Sequence, residues 1–314
     1  MSLPSITGIS MVRNEVDIIR TTLLYHLGSG VDRIMVLDNG STDGTDRVLE
    51  TMSRADPRIV WERDDMPFLQ ADVFTNLARR ALQEGADWVL PFDADEFWYA
   101  PRGLKRVLAD TSAVMLRVKL TNFIQRREQA ETRPRGLLTM TRRTAEPVGP
   151  LEATFELTTS RKIAHVEAMH PPKWIFRPTS TVQVSHGNHF VTGLVGGVED
   201  TDEIVCCHAA LRSRARMESK GLHGRRVEET KERPGESWHV RRFRRLQQEG
   251  RLDEEWAANS YRDNTLDVFG TTHPVVYDPT LRTLVMPYLA RTPWGRYAAS
   301  LRKKALDRKA VAKP

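Results

Sequence analysis

The sequence predicts an α/β fold, a mostly parallel central sheet flanked by helices, with a helical C-terminal extension. Two observations carry the prediction. Through the first hundred residues, short apolar runs alternate with stretches whose apolar residues recur at helical spacing, the pattern of strand–helix–strand units. Each apolar run also stops at a cluster of polar or acidic residues, and in such sheets ligands bind where the strands end at their carboxyl edge.

Residues 6–12 read as the first strand and 15–27 as a helix, with Ile18, Ile19, Leu23, Leu24 and Leu27 as its apolar stripe and Gly28 or Gly30 to close it. Residues 33–37 form the next strand, ending at Asp38. The turn-rich loop Asn39-Gly40-Ser41-Thr42-Asp43-Gly44 then offers side-chain oxygens to cap a helix beginning near Thr45. A third strand (58–61), a third helix (71–83) and a fourth strand (87–92) follow, the last running straight into Asp93, Asp95 and Glu96. Beyond Pro101 the pattern loosens: residues 113–118, 137–141, 181–184 and 203–208 read as strands between loops rich in Pro, Arg and Thr, and helices dominate from Arg212 onward.

The net charge of +6 is unevenly spread. Residues 1–100 hold 9 Arg, no Lys and 17 acidic residues, a balance of −8, so the remainder carries +14. The acidic half suits a cation and the basic half suits phosphates. Residues 300–314 carry +5, which reads as a solvated tail, with weak peripheral contact to an anionic membrane as the alternative. No apolar stretch is long enough to span a bilayer, and Met1-Ser2-Leu3-Pro4 lacks the features of a signal peptide, so a cytoplasmic location is expected. Cys206 and Cys207, the only cysteines, read as buried strand residues. Arg outnumbers Lys 37 to 10, which hints at a GC-rich bacterial source.

Asp93 and Asp95 alternate on what reads as an extended segment, so both side chains would face one way at a strand end and could share a divalent ion. Asp38 ends another strand and can accept hydrogen bonds from a base or a ribose hydroxyl, while Arg13-Asn14-Glu15 ends a third. For each, a turn or a helix cap is the competing structural explanation.

Met11-Val12-Arg13-Asn14-Glu15, then Val36-Leu37-Asp38-Asn39-Gly40-Ser41-Thr42-Asp43-Gly44-Thr45, then Trp88-Val89-Leu90-Pro91-Phe92-Asp93-Ala94-Asp95-Glu96-Phe97 resemble the ordered motifs of family-2 glycosyltransferases with the GT-A, Rossmann-like fold. The resemblance implies a nucleoside-diphosphate sugar donor, most often UDP-linked, Mn2+ or Mg2+ as cofactor, and inversion at the anomeric carbon. It implies that Val12, Asn14, Glu15, Asp38, Asp93 and Ala94 line the nucleotide-sugar site, with Asp38 at the base, Asp93 at the ribose or the metal, and Asp95 on the metal. A second likeness, of Lys173 to Pro178 and of His208 to Ser213 with Lys220 beyond, is to the late motifs of a subgroup of these enzymes. It implies His208 as a further metal ligand and Arg177, Arg212 and Lys220 toward the donor. The family's catalytic base is an acid downstream of the D-x-D, and Asp200 beside Glu199 matches it, with Glu152, Glu156, Glu167 and Asp202 as competitors. His186 and His189 form an H-x-x-H whose spacing permits metal binding.

By the same resemblance residues 1–215 form the GT-A domain, 1–100 as its nucleotide-sugar half and 101–215 as its acceptor half, and residues 216–314 a helical extension with a basic tail. The acceptor stays open: a small molecule, or a cell-envelope glycan or lipid. A nucleotidyltransferase is the first competing function, but such enzymes open with a glycine-rich phosphate loop and a Lys, and the first hundred residues have no Lys and no glycine between Ser10 and Glu15. A noncatalytic sugar-nucleotide binder is the second. A nucleic-acid partner is not expected, because the basic excess is confined to the second half and is not interleaved with aromatics.

Overall fold

The computed structural model describes residues 2–65, 69–229 and 238–289. In chain order the first hundred residues form β1 (Ile6–Val12), α1 (Ile19–Ser29), β2 (Arg33–Asp38), α2 (Thr45–Ala55), β3 (Ile59–Arg63), α3 (Gln70–Gln83), β4 (Trp88–Pro91) and β5 (Glu96–Tyr99). Every residue of β1 and β4 is buried, because helices cover both faces of the sheet; this is why these strands are apolar throughout instead of alternating. The helix after β2 starts where expected, with the Asp43 carboxylate accepting hydrogen bonds from the Thr45 amide (2.9 Å) and hydroxyl (2.6 Å).

The second half adds α4 (Leu104–Asp110), β6 (Met115–Asn122), α5 (Thr154–Thr159), β7 (Lys173–Phe176), β8 (Val198–His208), α6 (Arg214–Glu229), α7 (Trp238–Gln248), α8 (Leu252–Ala258) and α9 (Thr280–Val285). The eight-stranded sheet has the order β3-β2-β1-β4-β7-β6-β8-β5. The strands β3, β2, β1 and β4 are mutually parallel, but β7 runs antiparallel to both β4 and β6, and β5 antiparallel to β8. The sheet is therefore mixed. One consequence matters for the site: the reversed β7 starts beside the end of β4, opposite Val118 in the middle of β6, which brings Lys173 to the end of β4.

Three segments differ from the sequence expectation. Residues 137–141 do not form a strand; Pro134 opens a 3-10 helix, Pro134–Thr139, consistent with its fixed φ at a first helical position. Of residues 181–184 only Gln183–Val184 are extended, paired with Val191–Thr192 in a hairpin apart from the main sheet. After α8 the chain turns to strands, Ser260–Arg262, Thr265–Val268 and Thr271–Pro274, which join Gln125–Arg126 in a four-stranded sheet. Asp263 and Asn264 both take positive φ (49° and 65°), the geometry of a two-residue hairpin. The basic tail at 300–314 lies outside the described residues.

Two apolar clusters cover the faces of the main sheet, and a third joins α6, α7 and α8 to the small one. Both cysteines are free and buried in β8. Among the described residues no helix is long and apolar enough to cross a membrane.

Candidate functional site

The ends of β1, β2 and β4 meet at the carboxyl edge, and the loops there are tied to one another. Val12, the last residue of β1, accepts the Asn39 amide (2.9 Å), and Asn14, at φ 53°, accepts the Thr42 amide through Oδ1 (2.8 Å). Asp38 is fully buried and accepts hydrogen bonds from the Ser41 hydroxyl and amide, with Arg63 at 3.5 Å. Burial pushes the Asp38 carboxyl up, against the pull of those two bonds and of Arg63. The loop turns at Gly40, whose φ of 68° belongs to glycine, and a Cβ there would fall 2.6 Å from the Asp65 carboxylate. Replacing Gly40 with Ala is expected to cost about 1–2 kcal/mol; an unchanged urea midpoint would show that the loop relaxes around the new side chain.

At the end of β4 the segment 93–96 is a turn, closed by the Glu96 amide on the Asp93 carbonyl (3.0 Å), and not the extended stretch expected. Asp93 and Asp95 accordingly meet different partners. Asp93 accepts from Lys173 Nζ (3.0 Å) and Gln70 Nε2 (3.2 Å). Lys173 is also 2.8 Å from Glu96 and donates to the Gly187 carbonyl (2.6 Å). Ala94 is buried, its carbonyl accepting the Thr22 hydroxyl (2.5 Å).

Asp95, 5% exposed, faces the other way. Its Oδ2 lies 3.1 Å from Lys220 Nζ and 3.5 Å from Arg212 Nη1, and its Oδ1 3.6 Å from His208 Nε2. Burial alone would raise this carboxyl, but Lys220, His208 and Arg212 together hold it well below the usual carboxylate range. His208, the last residue of β8, pairs across the sheet with Asn122 and shares a 2.7 Å hydrogen bond between its Nδ1 and Asn122 Oδ1. Because the amide oxygen only accepts, Nδ1 carries the hydrogen, and a neutral ring presents its lone pair on Nε2, toward Asp95.

Arg212 and α6 close the site from the second half. Arg212 grips Asp17 with two hydrogen bonds (both 2.9 Å) and Glu15 with one (2.7 Å); Arg216 bonds Glu15 and the Asn14 carbonyl (2.9 Å). Arg216 and Lys220, four residues apart, share one helix face. Counted together, Glu15, Asp17, Asp93, Asp95 and Glu96 face Lys173, Arg212, Arg216 and Lys220, a formal balance of −1 with His208 neutral.

The structure thus brings together Val12, Asn14, Glu15, Asp38, Asp93, Ala94, Asp95, His208, Arg212 and Lys220. It does not bring Asp200, Glu199 or Arg177 to this cluster. Asp200 is ion-paired to Arg117 and Glu199 bonds the Thr111 hydroxyl (2.7 Å), both exposed near the start of β8. Asp200 pairs with Arg117 and His208 with Asn122, five positions apart along β6, so about 16 Å separates them. Arg177 stacks on Trp88, the first residue of β4, at the opposite edge of the sheet (4.4 Å to the ring centroid). His189 donates from Nδ1 to the Pro172 carbonyl (3.2 Å). Among the described residues no group of three or more His, Cys, Asp or Glu side chains is arranged to hold a metal ion, so neither the H-x-x-H nor the D-x-D forms a complete protein ligand set.

Lys173 as an Asp93 partner, Glu96, Asp17, Arg216 and Asn122 are site residues that the sequence reading did not assign.

No protein-family model matches the chain. Part of it is similar to plant proteins named glycosyltransferase family 92. It is 31% identical over 107 residues to one from Arabidopsis thaliana (33% of this chain, 18% of that protein), and 34% identical over 97 residues to one from Oryza sativa subsp. japonica (29% and 16%). A third, from Ricinus communis, is 29% identical over 126 residues (40% and 21%). The match spans less than a quarter of each of these relatives' length. Similar solved structures include S. aureus TarS residues 1–349 (12% identity, 76% of this chain and 69% of that one, TM-score 0.39) and the mannosyltransferase PcManGT from Pyrobaculum calidifontis in complex with GDP-Man and Mn2+ (15%, 97% and 81%, TM-score 0.35).

Proposed function

We propose that the chain transfers a sugar, with inversion, from a nucleoside-diphosphate sugar, UDP-linked by preference, to an acceptor hydroxyl, and that it uses Mn2+ or Mg2+. The observation that carries this reading is the pair of buried Asp95 and partly buried His208 at the carboxyl edge, with Lys220 and Arg212 on its far side. The named relatives support the reaction class.

The residues fit a divalent ion. Asp95 Oδ1 and His208 Nε2 face one another at 3.6 Å, a separation two ligands of one ion can have, and Asn122 fixes the imidazole through its Nδ1, as hydrogen-bond partners of metal-ligating histidines do. Two protein ligands leave positions for water and diphosphate oxygens. When bound, the ion would neutralise charge on the departing diphosphate. A divalent ion bound to a neutral His208 takes the same cluster from −1 to +1, which favours a diphosphate.

The chain's own groups do the rest in this reading. Arg212 Nη1 is buried and, among the described residues, has no hydrogen-bond partner, only Asp95 at 3.5 Å, which makes it a donor for the diphosphate. Lys220 adds a point charge beside it, and Asp38 with its Ser41 loop faces the nucleoside. Residues 1–100 would hold the donor, 101–215 the acceptor, and α6 would lend its cations from residues 216–314.

Calorimetry with UDP-, GDP- and dTDP-sugars, with and without Mn2+, tests this. One nucleotide sugar should bind in the presence of the ion and release its sugar slowly to water. Binding to none of them in either condition would sink the reading, and binding without any turnover would point to the noncatalytic alternative. Pyrophosphate release from a nucleoside triphosphate would instead mark a nucleotidyltransferase.

A further inference from the structure

An inverting transfer needs a base for the acceptor proton. Most carboxylates around the site are held by cations: Asp93 and Glu96 by Lys173, Glu15 and Asp17 by Arg212 and Arg216, and Asp200 by Arg117; Asp202 is exposed beside Asp200, at the end of β8 remote from His208. A cavity of about 620 Å³ runs from Arg117 and Asp200 past Leu120 to Met169, His170 and Pro172. It shares Lys119, Leu120, Glu146 and Pro147 with a second cavity, of about 310 Å³, that reaches Asn122. The two share a wall, and the smaller ends one side chain away from His208, since Asn122 bonds it directly.

His170 is the imidazole on the larger groove. Its Nε2 lies 3.0 Å from the His165 carbonyl, which can only accept, so Nε2 carries the hydrogen. Burial, with His208 and Lys173 nearby, pushes its pKa down to about 4, against the pull of that hydrogen bond, so the ring is neutral at pH 7 and its lone pair is on Nδ1. His189, also held neutral by burial, bonds the Pro172 carbonyl through Nδ1 and does not line this groove.

Resting on the transferase reading, we propose that His170 is the catalytic base and that the acceptor enters along the Leu120–Met169–Pro172 groove. The hydroxyl proton passes to His170 Nδ1 as the acceptor oxygen bonds the anomeric carbon. The bond from that carbon to the diphosphate breaks, and its electron pair leaves on the phosphate oxygen beside Lys220 and Arg212. The proton returns to solvent when the product departs. The groove walls at Leu120, Pro147, Met169 and Pro172 are apolar, which suits an alcohol with a carbon-rich body.

The test uses the nucleotide sugar that binds in calorimetry and water as acceptor. In His170→Gln, donor affinity with Mn2+ should stay at the wild-type value while hydrolysis falls by about 10²-fold or more. In His170→Ala, added imidazole should restore part of the loss. Wild-type turnover in both variants would overturn the assignment, as would loss of turnover in Asp200→Asn in their place. Loss of donor binding together with turnover would also overturn it, marking His170 as structural. Failure of the wild-type protein to bind any donor strikes the transferase reading itself and is read separately from these outcomes.

Discussion

Asp95→Asn should lower turnover by about 10³-fold or more, because it removes the one carboxylate that faces His208, Lys220 and Arg212 at once. The substitution keeps the shape and removes only charge, so the loss is electrostatic. It also removes one counter-charge from beside Lys220 and Arg212, which should draw a metal-free diphosphate more tightly. The expected signature is therefore a split: lost turnover and lost Mn2+ dependence, with UDP or GDP binding retained or strengthened. Asp93→Asn should cost less, since Asp93 already shares its charge with Lys173 and Gln70 and is about one-third exposed. Asn122→Ala, which frees the His208 ring, should fall between them, at about 10- to 100-fold. Titration of each variant with nucleotide and Mn2+, beside its turnover, checks the order. Equal losses in Asp93→Asn and Asp95→Asn would mean that the two carboxylates act as one ligand set after all.

The ordering of these effects was only partly legible in the sequence. What is local could be read: the strands end at Val12, Asp38 and Pro91 because apolar runs end there, and the polar residues after them collect at one edge because parallel strands share a direction. His208 and Lys220 were reachable through their late motifs. The pairing of cations with acids was not, since Lys173 meets Asp93 from 80 residues away and Arg212 meets Asp17 from 195. Those distances depend on β7 entering the sheet antiparallel between β4 and β6, and four residues of β7 carry no sign of their direction. The turn at Asp93–Glu96 was hidden for a related reason. A period-two reading of Asp-Ala-Asp presumes a continuing strand, and here the Glu96 amide closes back on Asp93. The hairpin at Asp263-Asn264 did carry a signal, two turn-forming residues between Arg262 and Thr265, which the polar, charged surroundings masked.

Arg212→Ala should be the most destabilising single change at the site, by about 3–5 kcal/mol, because it strands buried carboxylates instead of merely deleting a contact. Arg212 is 3% exposed, and the Asp17 and Glu15 side chains it holds are 9% and 10% exposed. Glu15 keeps Arg216, but Asp17 loses its two hydrogen bonds and its charge partner together. Arg212→Lys should recover only part of the loss, since an ammonium cannot reproduce the two-pronged grip on Asp17. If the stranded charge is the cause, Asp17→Ala in the Arg212→Ala background should restore stability, making the double variant more stable than the sum of the singles allows. The same logic sets a pH dependence. Burial raises the Asp17 carboxyl, but its bonds to Arg212 outweigh that and hold it below its ordinary 3.8. The stabilisation is thus present above that value and is lost as pH falls through the depressed folded value. Removing Arg212 should accordingly flatten the acid limb of the stability curve below pH 3.8. Urea midpoints across pH for the wild type, both single variants and the double decide it: additive losses would show that Arg212 and Asp17 stabilise the fold independently, and that the clamp between the two halves of the chain is not what holds α6 over the site.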